Sequence, residues 1–258
     1  MKDIIRQIFV ILSIIGTLIV NGLANGLPLN GLNTGQISDR FEVYFVPAGY
    51  VFSIWGLIYL GLIAFGIYQA LPSQRENPRL RATGWWIVLS GLANSTWIFL
   101  WHYEQFPLTV VVMLLLLVTL ILIYTRLGTG RTTVSTAEKW TVRLPFSLYL
   151  GWISVATVAN ISSLLDYVNW DRFGLSQEIW MTIMLVAVLV ITVAMLFTRR
   201  DAVYAAVILW ALAGIGFKHG AIPAIAIPTW ITFGLVVITL VAAFMRRAPN
   251  QMQKQPGL

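Results

Sequence analysis

The stretch Val110–Tyr124, VVVMLLLLVTLILIY, decides the fold class, because fifteen consecutive residues pass without a single charge and without strand-like alternation. Ile179–Phe197, IWMTIMLVAVLVITVAMLF, repeats the pattern over a longer run. Barrel strands in a membrane alternate apolar and polar residues over about ten positions. Continuous runs of this kind are helices that satisfy their own backbone in lipid. Working outward from these two runs, segments of ~20 predominantly apolar residues recur along the whole chain. Eight spans are expected: Ile4–Leu27, Pro47–Leu71, Leu80–Trp101, Pro107–Tyr124, Trp140–Leu164, Gln177–Phe197, Ala202–Phe217 and Ile222–Met245. The first run is long for a signal-peptide core and no A-x-A site follows it, so it reads as a retained span.

Composition agrees. Of 258 residues 58% are hydrophobic and only 10% are charged, against roughly 45–50% and about 25% in soluble domains. The expectation is therefore an all-α polytopic transmembrane bundle with the lipid bilayer as solvent. The net charge of +7 would suggest nucleic acid in a soluble protein. Here the positive charges sit in loops, so they report orientation and no nucleic-acid partner is expected. Of the 17 Lys and Arg, only Arg40, Arg172 and Lys218 fall on the side opposite the termini. The positive-inside rule then puts both termini in the cytoplasm. With no cysteine in the chain, thiolate metal sites and thiol catalysis are excluded.

No ionisable residue lies in the middle of a span, which counts against ion-coupled transport. Polar and aromatic residues instead form stripes at helical spacing. Phe52, Trp55 and Tyr59 share one face of the second span. Ser90, Asn94, Trp97 and Trp101 share one face of the third, and Tyr149, Trp152, Ala156 and Asn160 one face of the fifth. Ser13, Thr17, Asn21 and Asn25 line the first. Such stripes turn toward one another rather than toward lipid. Two readings obey the same rules: interhelical hydrogen bonding worth ~0.6–2 kcal/mol per contact, or a pocket of indoles, phenols and amides for a flat apolar ligand. The rings are expected to converge under the loop Pro28–Val46. Trp85, Trp86, Trp101, Trp140, Trp170 and Trp180 fall near span ends, where indoles anchor at the interface. His102 and His219 fall in loops; His102, a single unpaired histidine, reads as a solvated loop residue. No metal site, cofactor or catalytic set is expected.

At these residues the sequence resembles the TspO/translocator protein family, the tryptophan-rich sensory or peripheral benzodiazepine receptor-like proteins. Trp152-Ile153-Ser154-Val155-Ala156-Thr157-Val158-Ala159-Asn160 is similar to that family's W-x-S-x-A-T-x-x-N, Asn94-Ser95-Thr96-Trp97 to its N-x-x-W, and Pro47–Trp55 with Tyr59 to the start of its second helix. The resemblance implies a five-helix core over residues 1–164 around a cavity for porphyrins or sterol-like molecules. It implies that Trp55, Asn94, Trp97 and Trp152 line that cavity; Tyr59 and Asn160, on the same stripes, are expected to bind the ligand with them, and the expected location is a bacterial plasma membrane. Because the family has five spans, 165–247 reads as a three-helix extension and Ala248–Leu258, rich in Gln and Pro, as a disordered cytoplasmic tail. The other function class left open is a permease for a neutral solute. Small-residue pairs at Gly22–Gly26 and Gly91–Ser95 allow a homodimer.

Overall fold

The computed structural model describes residues 1–27 and 29–246; the expected tail Ala248–Leu258 lies outside them. Eight long helices follow one another: α1 (Lys2–Gly26), α2 (Ile54–Ala70), α3 (Pro78–His102), α4 (Phe106–Arg126), α5 (Leu144–Tyr167), α6 (Gln177–Arg199), α7 (Ala202–Lys218) and α8 (Pro223–Met245). There is no strand among the described residues. Among the described residues, six helical segments qualify as membrane spans by length and apolarity alone. The two others are α3, which carries Arg79, Arg81 and Asn94, and α7, which is 17 residues long and so reaches about 26 Å. The chain is a multi-pass membrane protein.

Starts and stops follow local chemistry. Pro78, Pro107, Pro145 and Pro223 sit in first turns, where the missing N–H is no loss. Ser176 and Asp201 cap α6 and α7 through their side chains. The second span begins later than the expected Pro47. A 3-10 turn, Gly49–Ser53, precedes α2, and its lead-in is tied sideways by Ala48 N–H donating to the Gly214 carbonyl of α7.

Close approaches set the packing. A Cβ on Gly91 would stand 2.1 Å from Ser13 Oγ, so that small-residue face of α3 is used inside the chain, against α1. Gly22 and Gly26 meet nothing. A Cβ on Gly214 would stand 2.2 Å from Val51 Cγ2, so α7 presses directly on the turn that leads into α2. The three C-terminal helices join the others chiefly where α7 lies against α5 and this turn.

Loops segregate to two ends. At the end carrying Met1 and the close of α8, Asp3 pairs with Arg81 at 2.6 Å, Arg79 with Glu138 at 2.6 Å, and Arg200 donates to the Arg246 carbonyl at 2.5 Å. At the far end Arg40 pairs with Glu104 and Lys218 with Asp39, and the Glu42 N–H donates to Asp166.

Candidate functional site

The polar stripes do face one another, and they build a layered aromatic cluster at the far end. Trp55 stacks on Tyr59 with ring centres 5.5 Å apart and meets Trp152 edge-on at 6.1 Å. Tyr149 approaches Trp55 at 6.0 Å, and Phe52 approaches Trp152 at 5.6 Å. Trp97 stacks on Trp101 at 5.2 Å. Helical spacing brings these rings together, since i, i+3 and i+7 positions share a face.

Two spaces lie among the rings. The inner one, about 40 Å³, is lined by Phe52, Trp97, Trp101, Trp152, Ala156, Asn160 and Ser163, with Thr34 and Pro47 closing it from the loop. It has room for about two water molecules. The outer one, about 560 Å³, lies between α1, the short helix Thr34–Ser38 and α2, and is lined by Asn25, Gln36, Asp39, Phe52, Trp55, Gly56 and Tyr59. Ligand cavities run from about 300 to 1,000 Å³, so of these two the outer space has that size. Phe52 and Thr34 belong to both walls. A third space, an apolar groove of about 840 Å³ between α2, α5 and α7, shares Gly56 and Tyr59 with the outer chamber.

The amides divide in two. Asn160 accepts from Trp97 Nε1 at 3.0 Å and donates to Thr109 Oγ1 at 2.9 Å, which fixes the Trp97 ring on the wall of the inner chamber. Asn94 accepts from Asn21 Nδ2 at 2.6 Å. It lines neither chamber, and its polar partner is α1. Of the six site residues expected from sequence, Trp97, Trp152 and Asn160 border the inner space, Trp55 and Tyr59 the outer one, and Asn94 stands behind them.

Several donors in this cluster have no acceptor. Trp152 Nε1, Tyr149 Oη, Tyr59 Oη and Ser163 Oγ are buried without a hydrogen-bond partner; Tyr149 lies beside Asn94 without bonding it. A buried polar group left unmet costs about 1–3 kcal/mol. Four in one aromatic cluster is a concentration that packing alone does not favour.

The loop above the cluster is held by His102, and here the sequence reading is corrected. The residue is 1% exposed, not solvated. Its Nδ1–H donates to the Leu29 carbonyl at 3.0 Å, which leaves Nε2 to accept from the Thr34 hydroxyl at 3.2 Å. Trp101, at the same helix end, is also buried: it is 3% exposed and its Nε1 donates to the Thr34 carbonyl at 3.2 Å. Thr34 thus roofs the inner chamber because α3 grips it at two atoms. Spacing within the spans carried no signal for Thr34, whose role depends on a loop folding back 67 residues onto α3. Among the described residues no group of His, Asp and Glu could hold a metal ion.

A family model described as TSPO-like protein matches residues 7–243. The chain belongs to the TSPO-like family. The match runs through α6, α7 and α8, so the three C-terminal helices of this TSPO-like chain lie inside the matched range along with the aromatic cluster. No curated protein and no solved structure matches the chain.

Proposed function

We propose that this TSPO-like chain binds flat apolar ligands, tetrapyrroles or sterol-like molecules, in the chamber beside Trp55 and Tyr59. The observation that carries the reading is the set of unmet donors, Trp152 Nε1, Tyr149 Oη and Tyr59 Oη, inside an aromatic cluster that borders a space of ligand size. Stacked rings supply ~0.5–1.5 kcal/mol per aromatic pair beyond buried area. The donors supply orientation for a carbonyl, hydroxyl or carboxylate on the ligand rim. Phe52 stands between the two chambers, and turning it aside would join the inner space, with Trp97 and Trp152, to the outer one. Asn160 and Asn94 hold the frame. The groove reached past Gly56 and Tyr59 gives an apolar ligand a path from the bilayer. The one carboxylate on the outer wall, Asp39, is already paired with Lys218, so affinity comes mainly from apolar burial and changes little with salt.

The test is tryptophan-fluorescence quenching of the purified protein by protoporphyrin, haem and sterols. Trp55→Ala/Trp152→Ala should weaken the preferred ligand, with ~3–5 kcal/mol per interior aromatic truncation as an upper bound. Equal affinity for the wild type and a correctly folded double variant returns both tryptophans to helix packing.

A further inference from the structure

At the opposite end of the bundle a second pocket has different chemistry. It opens between the ends of α4 and α6 and the starts of α5 and α7, has a volume of about 600 Å³, and is bordered by Lys139, Arg143, Arg199 and Arg200. Among the described residues none of these four cations makes an ion pair, whereas Arg6, Arg79 and Arg81 at the same end all do. The one acid on the wall, Asp201, is already committed. It accepts from Tyr124 Oη at 2.8 Å, Ser147 Oγ at 2.6 Å and the N–H groups of Val203 and Tyr204 at 3.1 and 3.0 Å. Glu138, next to Lys139 in the chain, is gripped by both Nε and Nη2 of Arg79.

The cations are placed, not merely present. Arg143 is 8% exposed, and its Nη2 donates to the Leu127 carbonyl at 3.1 Å and to Thr132 Oγ1 at 2.5 Å. Its Nε is buried with no acceptor, as is Thr129 Oγ1 on the same wall. Gly130, at φ +74°, brings the loop so near the end of α6 that a Cβ there would meet the Arg199 carbonyl at 1.9 Å. Arg199 donates back to the Thr129 carbonyl at 3.3 Å, and Arg200 ends α6 in the left-handed conformation. Four cations against the single carboxylate of Asp201 leave the wall with an excess of positive charge, and an unmet Nε–H and hydroxyl beside them need an acceptor.

The geometry points to a binding site for a phosphate group, and we assign its source as the headgroup of an anionic phospholipid. Trp140, 61% exposed, and Phe244, 53% exposed, stand on the rim. An exposed indole and phenyl beside a cation cluster at helix ends suit the boundary between acyl chains and headgroups. Basic pockets between membrane helices hold such headgroups through their phosphate. Free phosphate would use the same cations and gain nothing from that rim.

Native mass spectrometry of the full chain in neutral detergent tests this, with phosphatidylglycerol, phosphatidylcholine and inorganic phosphate as three separate probes. The wild type should retain one phosphatidylglycerol in clear preference to phosphatidylcholine. Lys139→Gln and Arg200→Gln should each lower that preference about fivefold. Arg126→Gln, which removes a cation that lies over Trp86 at the same end, should leave it unchanged. Melting temperature and porphyrin quenching check the fold, and either single variant suffices where the other misfolds. Equal retention of the two lipids by the wild type overturns the site, as does a preference that survives both substitutions. Displacement of the lipid by millimolar inorganic phosphate overturns the lipid assignment.

Discussion

At the far end of the bundle Trp55 meets Trp152, Trp97 stacks on Trp101, and Asn160 accepts from Trp97. At the end carrying Met1, the side chains of Lys139, Arg143, Arg199 and Arg200 border a pocket whose single carboxylate is fully engaged. One helix reaches both: α5 contributes Trp152 and Asn160 to one end and Leu144 and Ser147 to the other. The lesson is that unmet polar groups mean different things in the two places. In the aromatic cluster they are donors without charge, suited to orienting a ligand held by stacking. In the basic pocket they accompany uncompensated cations, suited to an anion held by Coulomb attraction. The first should ignore salt and the second should feel it.

The sharpest way to break the comparison is Asp201→Ala. It strips the acceptor from two buried hydroxyls and two N–H groups, so unfolding should cost about 3 kcal/mol less, read as a lower midpoint in detergent. Porphyrin binding measured below that midpoint should be unchanged. If binding fails while the protein is still folded, the two ends are coupled and the division is wrong.

Asn160→Ala ranks next. It orphans Trp97 Nε1 and frees the ring, at about 1–3 kcal/mol, and should weaken ligand binding as well. Asn94→Ala removes only the contact with Asn21, worth ~0.6–2 kcal/mol between membrane helices, and should leave affinity nearly intact. Paired unfolding and quenching curves on both variants separate an asparagine on the chamber wall from one between helices.

Much of this was legible from residues alone. Val110–Tyr124 and its like define the helices, and the stripes in the second, third and fifth spans name eight of the residues that border the chambers. What the stripes could not convey is which polar atom is spent on which neighbour. Asn94 and Asn160 look alike in sequence, each at i+4 from a small or aromatic partner, yet one bonds α1 and the other holds Trp97. Nor did a solvated reading of His102 foresee a loop that folds down onto it, because that burial depends on Leu29 and Thr34 arriving from another segment. The basic pocket escaped notice for a related reason: the excess of Lys and Arg was fully accounted for by orientation, and only the structure tells paired from unpaired cations.

Smaller effects sharpen the picture further. A Cβ at Gly56 meets nothing within 4 Å, so Gly56→Leu should fold normally while filling the passage between groove and chamber. Porphyrin association in liposomes should slow several-fold with an unchanged unfolding midpoint. An unchanged rate would remove the lateral path.

Smallest is the pH response of the far-end loops. Burial, and then the neighbouring Lys218, hold His219 below the ordinary histidine value, beside Tyr44 at 5.3 Å. Protonation therefore favours the loosened state. The stability this histidine contributes is complete above about pH 6.5 and is lost as pH falls from there toward its depressed folded value. Hydrogen exchange around Tyr44 should rise over that window in the wild type and not in His219→Gln.

The most direct test of the central claim is to remove the unmet hydroxyls themselves. Tyr59→Phe/Tyr149→Phe keeps both rings and deletes two buried donors that have no partner within the chain. Unfolding stability should stay level or rise, because no intramolecular hydrogen bond is lost. Affinity for the preferred ligand should fall by about 0.5–1.5 kcal/mol per hydroxyl that it engages. A double variant that loses stability and keeps its affinity would contradict the account, making these hydroxyls part of the scaffold and not of the ligand site.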